Sequence, residues 1–280
     1  MALSDMLVYI ATYPEPTSPE TIDQAVQFAA KAGGRLSALA VEVEFRRSSS
    51  WLADRAVGIS SLAAEAEQES GKASRNSLAI FATQAKAAGV LGQTLRSRVD
   101  LHAVPQQVVR FARTRDLCLL PFNPRESGCR LVAEATVFDS GRPVLVFQPG
   151  DAIGERIGTV AVAWDGSRSA ARAMADALPL LARAARVQVV TVLNEKPEAV
   201  TGIGDEAVRH LKYHGVNATS VEVDANGQRV GSVLESFVLA QQPNLLVLGA
   251  YGRSRIREFV LGGATEHLLR DPKLPLLLSY

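Results

Sequence analysis

Short apolar runs alternate with helix-periodic segments along the chain, and the whole series occurs twice. The first round opens with an apolar run over 7–12, a helical spacing over 19–31 and a second run over 35–43. The second round opens with a run over 159–164, a helical spacing over 167–184 and a run over 186–193. Third strands are expected at 94–99 and 218–223, third helices at 104–114 and 230–241, and fourth strands at 117–120 and 245–248. Each round closes on an apolar strand that follows a proline, 143–147 and 275–278. Strands that alternate with helices imply right-handed βαβ units and a parallel sheet. The pattern therefore predicts an α/β chain of two tandem, doubly wound, five-stranded parallel-sheet domains of Rossmann-like type. Residues 148–155 are rich in turn formers and place the join near Gly154, between domains at 1–150 and 155–280.

The two rounds differ in their middle third. Residues 44–58 are polar and broken, and 60–88 read as one long helix. Its apolar positions include Leu62, Ala63, Ala66, Leu78, Phe81, Ala82 and Ala85, with a weak centre at Gly71. The second round has only a short helix there, at about 205–213. The final strands, 143–147 and 274–279, are apolar edges that need covering, so edge-to-edge pairing of the two halves is expected. Such pairing would make an intrachain pseudo-dimer, and a further homodimer stays open.

Composition narrows the picture without redirecting it. A hydrophobic fraction of 47% and a charged fraction of 21% are those of a globular protein. A net charge of +1 favours neither nucleic acid nor an anionic membrane. No run approaches the roughly 18 apolar residues of a membrane helix. No Lys or Arg precedes Lys31, which argues against a secretory leader. Cys118 and Cys129 form no disulfide framework and no metal spacing. These features point to a reducing cytoplasm.

The chemistry concentrates after the last long strand. Leu245–Leu248 leads into Gly249, two residues separate Gly249 from Gly252, and nine separate Gly252 from Gly262. Gly263 and Thr265 then open a helix. Glycines leaving a buried strand let the backbone approach a ligand. A helix that starts behind them aims free N–H groups and a positive dipole end at an anion. The segment resembles the nucleotide signature of the universal stress protein family: Gly, two residues, Gly, nine residues, Gly, then Ser or Thr. Gly263 stands where Ser or Thr is usual, and Thr265 matches a second hydroxyl position. The resemblance covers nearly the whole chain as a tandem, two-domain member and is strong in the second half.

The resemblance implies an adenine nucleotide, ATP above all, in the second half, with Mg²⁺ carried on its phosphates. It implies Asp165, at the end of the strand 159–164, beside the ribose and adenine. Ser167 is the competing helix cap there, which would leave Asp165 free. Gly249, Gly252, Gly262, Gly263 and Thr265 would form the phosphate cradle. Arg253, Arg255 and Arg257 lie within the nine-residue gap, and Arg229 precedes the third helix; each is either a solvated side chain or a phosphate clamp. His210 and His214 share a helix face, but zinc would need further ligands. Glu266 and His267 are adjacent on a helix and do not face each other.

The first half lacks the motif. Pro121 stands opposite Gly249, Pro124 opposite Gly252, and Arg130, Leu131 and Ala133 opposite Gly262, Gly263 and Thr265. Thr12 or Tyr13 stands opposite Asp165. Proline has no N–H and a fixed φ, so it cannot serve a cradle of backbone donors. The first half is expected to bind no nucleotide, and its long helix to cover the second half or face a partner. Three functions stay open: a stress-response sensor binding ATP with little or no turnover, a nucleotide-free interaction module of the same fold, and a slow nucleotide hydrolase. The motif supplies no evident base or nucleophile, so no catalytic residue is assigned.

Overall fold

Alternate residues of each central strand are buried on opposite sides, which is the signature of a sheet covered on both faces. Strand β1 (Asp5–Ile10) turns Met6, Val8 and Ile10 to one apolar cluster and Leu7 and Tyr9 to the other. The computed structural model describes residues 3–45, 59–153, 157–194, 200–250 and 263–280. In the first half, β1 is followed by α1 (Pro19–Ala32), β2 (Arg35–Glu44), α2 (Ile59–Ala87), β3 (Leu91–Asp100), α3 (Val104–Ala112), β4 (Leu117–Pro121), α4 (Ser127–Asp139) and β5 (Val144–Phe147). A single 3₁₀ turn, Leu101–Ala103, precedes α3. The second half runs β6 (Thr159–Ala163), α5 (Arg168–Leu181), β7 (Arg186–Leu193), α6 (Ile203–Tyr213), β8 (Ala218–Asp224), α7 (Val230–Gln241), β9 (Leu245–Gly249), α8 (Gly263–Arg270) and β10 (Leu276–Ser279).

The strands form one ten-stranded sheet in the order β3-β2-β1-β4-β5-β10-β9-β6-β7-β8. Each half is a parallel, doubly wound set in which the order reverses beside its first strand. The halves meet where β10 pairs antiparallel with β5, with Leu276 opposite Val146, Leu277 opposite Leu145 and Leu278 opposite Val144. The two apolar edges foreseen in the sequence thus cover each other. Both apolar clusters run through both halves. One lies under α1, α2, α5 and α6, and the other under α3, α4, α7 and α8.

Polar ties reinforce the same join. Gln148 Nε2 donates to Pro272 O at 2.5 Å and Arg183 donates to Lys31 O, both reaching between the halves, while Gln24 Nε2 holds the linker by donating to Asp151 O at 2.7 Å. Phe138 and Tyr280 meet edge to face with ring centroids 5.0 Å apart. Among the described residues no helix is long and apolar enough to cross a membrane.

Of the two roles expected for the long helix, covering the second half is corrected. α2 packs on β2, β3 and α1 and stays within the first half. Its buried side includes Ser70, Ser74 and Ser77 as well as Phe81 and Ala85, and the small residues let it lie close to the sheet. Thr12 Oγ1 donates to Val41 O at 2.6 Å and shares a 2.7 Å hydrogen bond with Ser70 Oγ. Ser70 Oγ in turn accepts the Val43 N–H at 3.1 Å. Thr12, opposite Asp165 in the second half, therefore anchors a helix. At the edge, Arg96 pairs with Glu42 at 3.1 Å, and Arg98 pairs with Glu44 at 2.8 Å and with Glu67 at 3.1 Å.

Candidate functional site

A cavity of about 430 Å³ opens at the carboxyl ends of β6 and β9, where the strand order of the second half reverses. That is where open parallel sheets bind ligands, and the volume lies in the range of small-molecule sites. Asp165, Gly249, Gly263 and Thr265, four of the residues singled out from the sequence, all line it. They come from two strand ends and one helix start. Gly252, Arg253 and Gly262 lie outside the described residues, as do Arg255 and Arg257.

Asp165 sits in the turn from β6 to α5. Ser167 caps α5, its Oγ accepting the Ala170 N–H at 3.2 Å. Asp165 is nonetheless engaged: its Oδ1 accepts the Ser167 N–H at 3.0 Å. The expectation that capping by Ser167 leaves Asp165 free is thus corrected. The two residues divide the work of the turn, one holding the loop and the other the helix. Trp164 steadies the same loop by donating its Nε1–H to Ile203 O at 3.0 Å.

Gly249 has a reason that the sequence did not disclose. A Cβ there would lie 2.4 Å from the carbonyl carbon of Ser169 and 2.6 Å from the Ala170 nitrogen. The end of β9 thus presses directly on the backbone that opens α5. Close approach, rather than positive φ, requires this glycine. Gly263 is the opposite case: a Cβ there would meet nothing within 4 Å. It is exposed at the first position of α8, while Thr265 is buried. The first turn of α8 therefore turns its backbone N–H groups and positive dipole end toward the cavity.

The remaining walls are mixed. Val190, Val192, Leu234 and Leu248 give an apolar side, and Arg229 and Arg270 give cations at the rim. His267 and Glu235 were not seen as a pair in the sequence. His267 Nε2 lies 2.7 Å from Glu235 Oε2, joining α8 to α7 at the cavity wall. The helices can come that close because residue 231 is glycine: a Cβ there would lie 2.6 Å from His267 Cβ. Glu235 and His267 are 32 residues apart, so no local spacing could have linked them.

His210 and His214 do stack, with ring centroids 4.8 Å apart on α6. Among the described residues, no three metal-ligating side chains gather.

The equivalent end of the first half is built differently. The Phe122 N–H donates to Phe147 O at 2.7 Å, as the Ala250 N–H donates to Ser279 O at 2.7 Å, so the strand ends match. Pro121 replaces Gly249, and the bulky Phe122 replaces Ala250. Tyr13 and Phe45 meet edge to face at 5.3 Å and join Phe122 in one apolar cluster. Each of these aromatics follows the carboxyl end of a strand. Burial pushes the nearby Cys129 thiol up to about 11, which leaves it protonated and unreactive at neutral pH.

Comparison with known proteins bears on the second half and on the fold. The family model for the universal stress protein family matches residues 157–279. A universal stress protein of Synechocystis is 35% identical over 96 residues, which are 32% of this chain and 31% of that protein. This chain thus matches about a third of that relative's length. Among solved structures, a universal stress protein from Archaeoglobus fulgidus superposes with a TM-score of 0.68 at 13% identity, over 98% of this chain and 97% of that one. A functionally unknown protein from Pseudomonas aeruginosa superposes with a TM-score of 0.57 at 13% identity, over 99% and 93% of the two chains. At such identities these structures speak for the fold alone. The likeness that sequence shows is therefore of one segment, residues 157–279, to the universal stress protein family.

Proposed function

We propose that the second half binds an adenine nucleotide, ATP above all, and that the chain acts as a cytoplasmic stress-response sensor with little or no turnover. One observation carries this reading. Asp165, Gly249, Gly263 and Thr265 converge on a single cavity at the switch point of a parallel sheet. The first turn of α8 would hold phosphate oxygens through backbone N–H groups, and Thr265 and Arg229 stand beside it. The apolar side formed by Val190, Val192 and Leu248 suits a base, and Asp165 would meet the sugar. Mg²⁺, when bound, would offset phosphate charge. With no cluster of metal-ligating side chains among the described residues, phosphates and water would hold it.

The second reading, an interaction module without nucleotide, draws on Gly249, whose presence packing alone explains. The test is to denature freshly purified protein, identify released small molecules by mass spectrometry, and titrate with Mg-ATP by calorimetry. About one nucleotide per chain is expected. No release, and no binding up to about millimolar ATP, a limit near −4 kcal/mol, would hand the cavity to the second reading. Steady-state phosphate release at about 1 s⁻¹ or faster would instead make it an enzyme, with His267 and Glu235 the first residues to examine.

Gly263→Ser is a gain-of-function check. The site for its Cβ is open, so the fold should tolerate it. The added hydroxyl is expected to contribute about 0.5–1.5 kcal/mol, or roughly two- to tenfold in ATP affinity, with unchanged melting temperature. Unchanged or weaker affinity in calorimetry would mean that phosphates do not sit at this helix start.

A further inference from the structure

Glu266 is the acidic residue in the first turn of α8, and it lines the cavity. A carboxylate there competes with any ligand anion for the same positive helix end. Two arginines engage it. Arg270, one turn along the helix, places its Nη2 3.9 Å from Glu266 Oε1. Arg130, from α4 of the other half, places its Nη2 3.6 Å from the same oxygen. Arg270 belongs to the cavity wall and Arg130 does not. Arg130 is itself held, with its Nε donating to Glu134 Oε1 at 2.7 Å. A chain of charges, Glu134–Arg130–Glu266, thus crosses between the halves beside the β5–β10 join. Arg130 is the residue that the first half carries opposite Gly262.

We propose that Arg130 is a positioning residue for the site in the second half: it neutralises Glu266 and draws that carboxylate away from the helix end where a ligand anion must sit. This rests on the nucleotide reading of the cavity. Both partners are 39% exposed, so the pair adds little to folding stability. Its effect falls on ligand affinity and grows with ligand charge. Without Arg130, Glu266 keeps only Arg270 among the described residues, and its less screened charge opposes phosphate.

The experiment titrates the parent, Arg130→Gln, Glu266→Gln and the double variant with adenosine, AMP and ATP at fixed Mg²⁺ and ionic strength. Arg130→Gln is expected to weaken ATP by about three- to tenfold, AMP by less and adenosine hardly at all, the size expected of a partly exposed charge. Adding Glu266→Gln should return ATP to the parental affinity. Equal loss for adenosine and ATP, no loss for ATP, or no rescue by Glu266→Gln would each overturn the assignment. A parent that binds none of the three ligands would overturn the nucleotide reading itself, and the role of Arg130 with it.

Discussion

Gly249→Ala is expected to lose about 2–4 kcal/mol of folding stability, a large effect for one methyl group. The added Cβ would lie 2.4 Å from the Ser169 carbonyl carbon and 2.6 Å from the Ser169 oxygen and the Ala170 nitrogen. These are backbone atoms at the capped start of α5, so no side chain can rotate aside. Either β9 or the helix must move, and both border the cavity. Chemical denaturation would read the loss as a lower midpoint at unchanged slope. The comparison with nucleotide affinity is informative. A destabilised variant that still binds, more weakly, is the outcome that packing predicts. A variant of parental stability that has lost all binding would show that the glycine serves the ligand and that helix and strand are less tightly locked than their distance implies.

Leu277→Asp should be more damaging still, with a loss of at least about 4 kcal/mol or failure to fold. Leu277 is 1% exposed, sits in the middle of β10 and faces Leu145 across the join. Both leucines belong to the apolar cluster beneath α1, α2, α5 and α6. An aspartate there has no partner and no route to water. Because that cluster passes through both halves, the parent should unfold in one transition and the variant should weaken both halves together. Two separate transitions in the parent, followed by fluorescence and circular dichroism in denaturant, would contradict a shared core. Leu277→Ala is the milder companion, expected to lose about 2–5 kcal/mol.

Much of this was legible in the chain. Apolar runs such as 7–12 and 245–248 read as strands buried on both faces, because they are too short for helices, are bounded by turn residues and lack the polar alternates of a solvent-facing strand. Ser18 before Pro19 and Gly33 after Ala32 mark the ends of α1, and the structure uses them so: Ser18 Oγ accepts the Thr21 N–H, and Gly33 takes a φ of 75°. The glycine spacing pointed to one end of one half-sheet, and the residues from it that the structure describes do gather there. Local sequence can do this because strand burial, capping and turn conformation are set within a few residues.

Other features depended on residues far apart. α2 reads as amphipathic, yet its pattern names no destination. Ser70, meeting Thr12 and the backbone of β2, decides that it covers the first half. Glu235 and His267 meet only because Gly231 lets two helices close. Arg130 reads as a residue of a failed motif until β5 and β10 bring its helix beside α8. The sequence by itself thus determined the elements, the doubled α/β plan, the apolar edges and the strand ends that carry the candidate chemistry. The tertiary structure alone decided that Gly249 answers to the backbone of α5, that each of the two apolar clusters runs through both halves, and that a charge from one half reaches the motif helix of the other. The division is physical: periodicity and capping act over a few residues, whereas close approach and ion pairing depend on where distant segments come to rest.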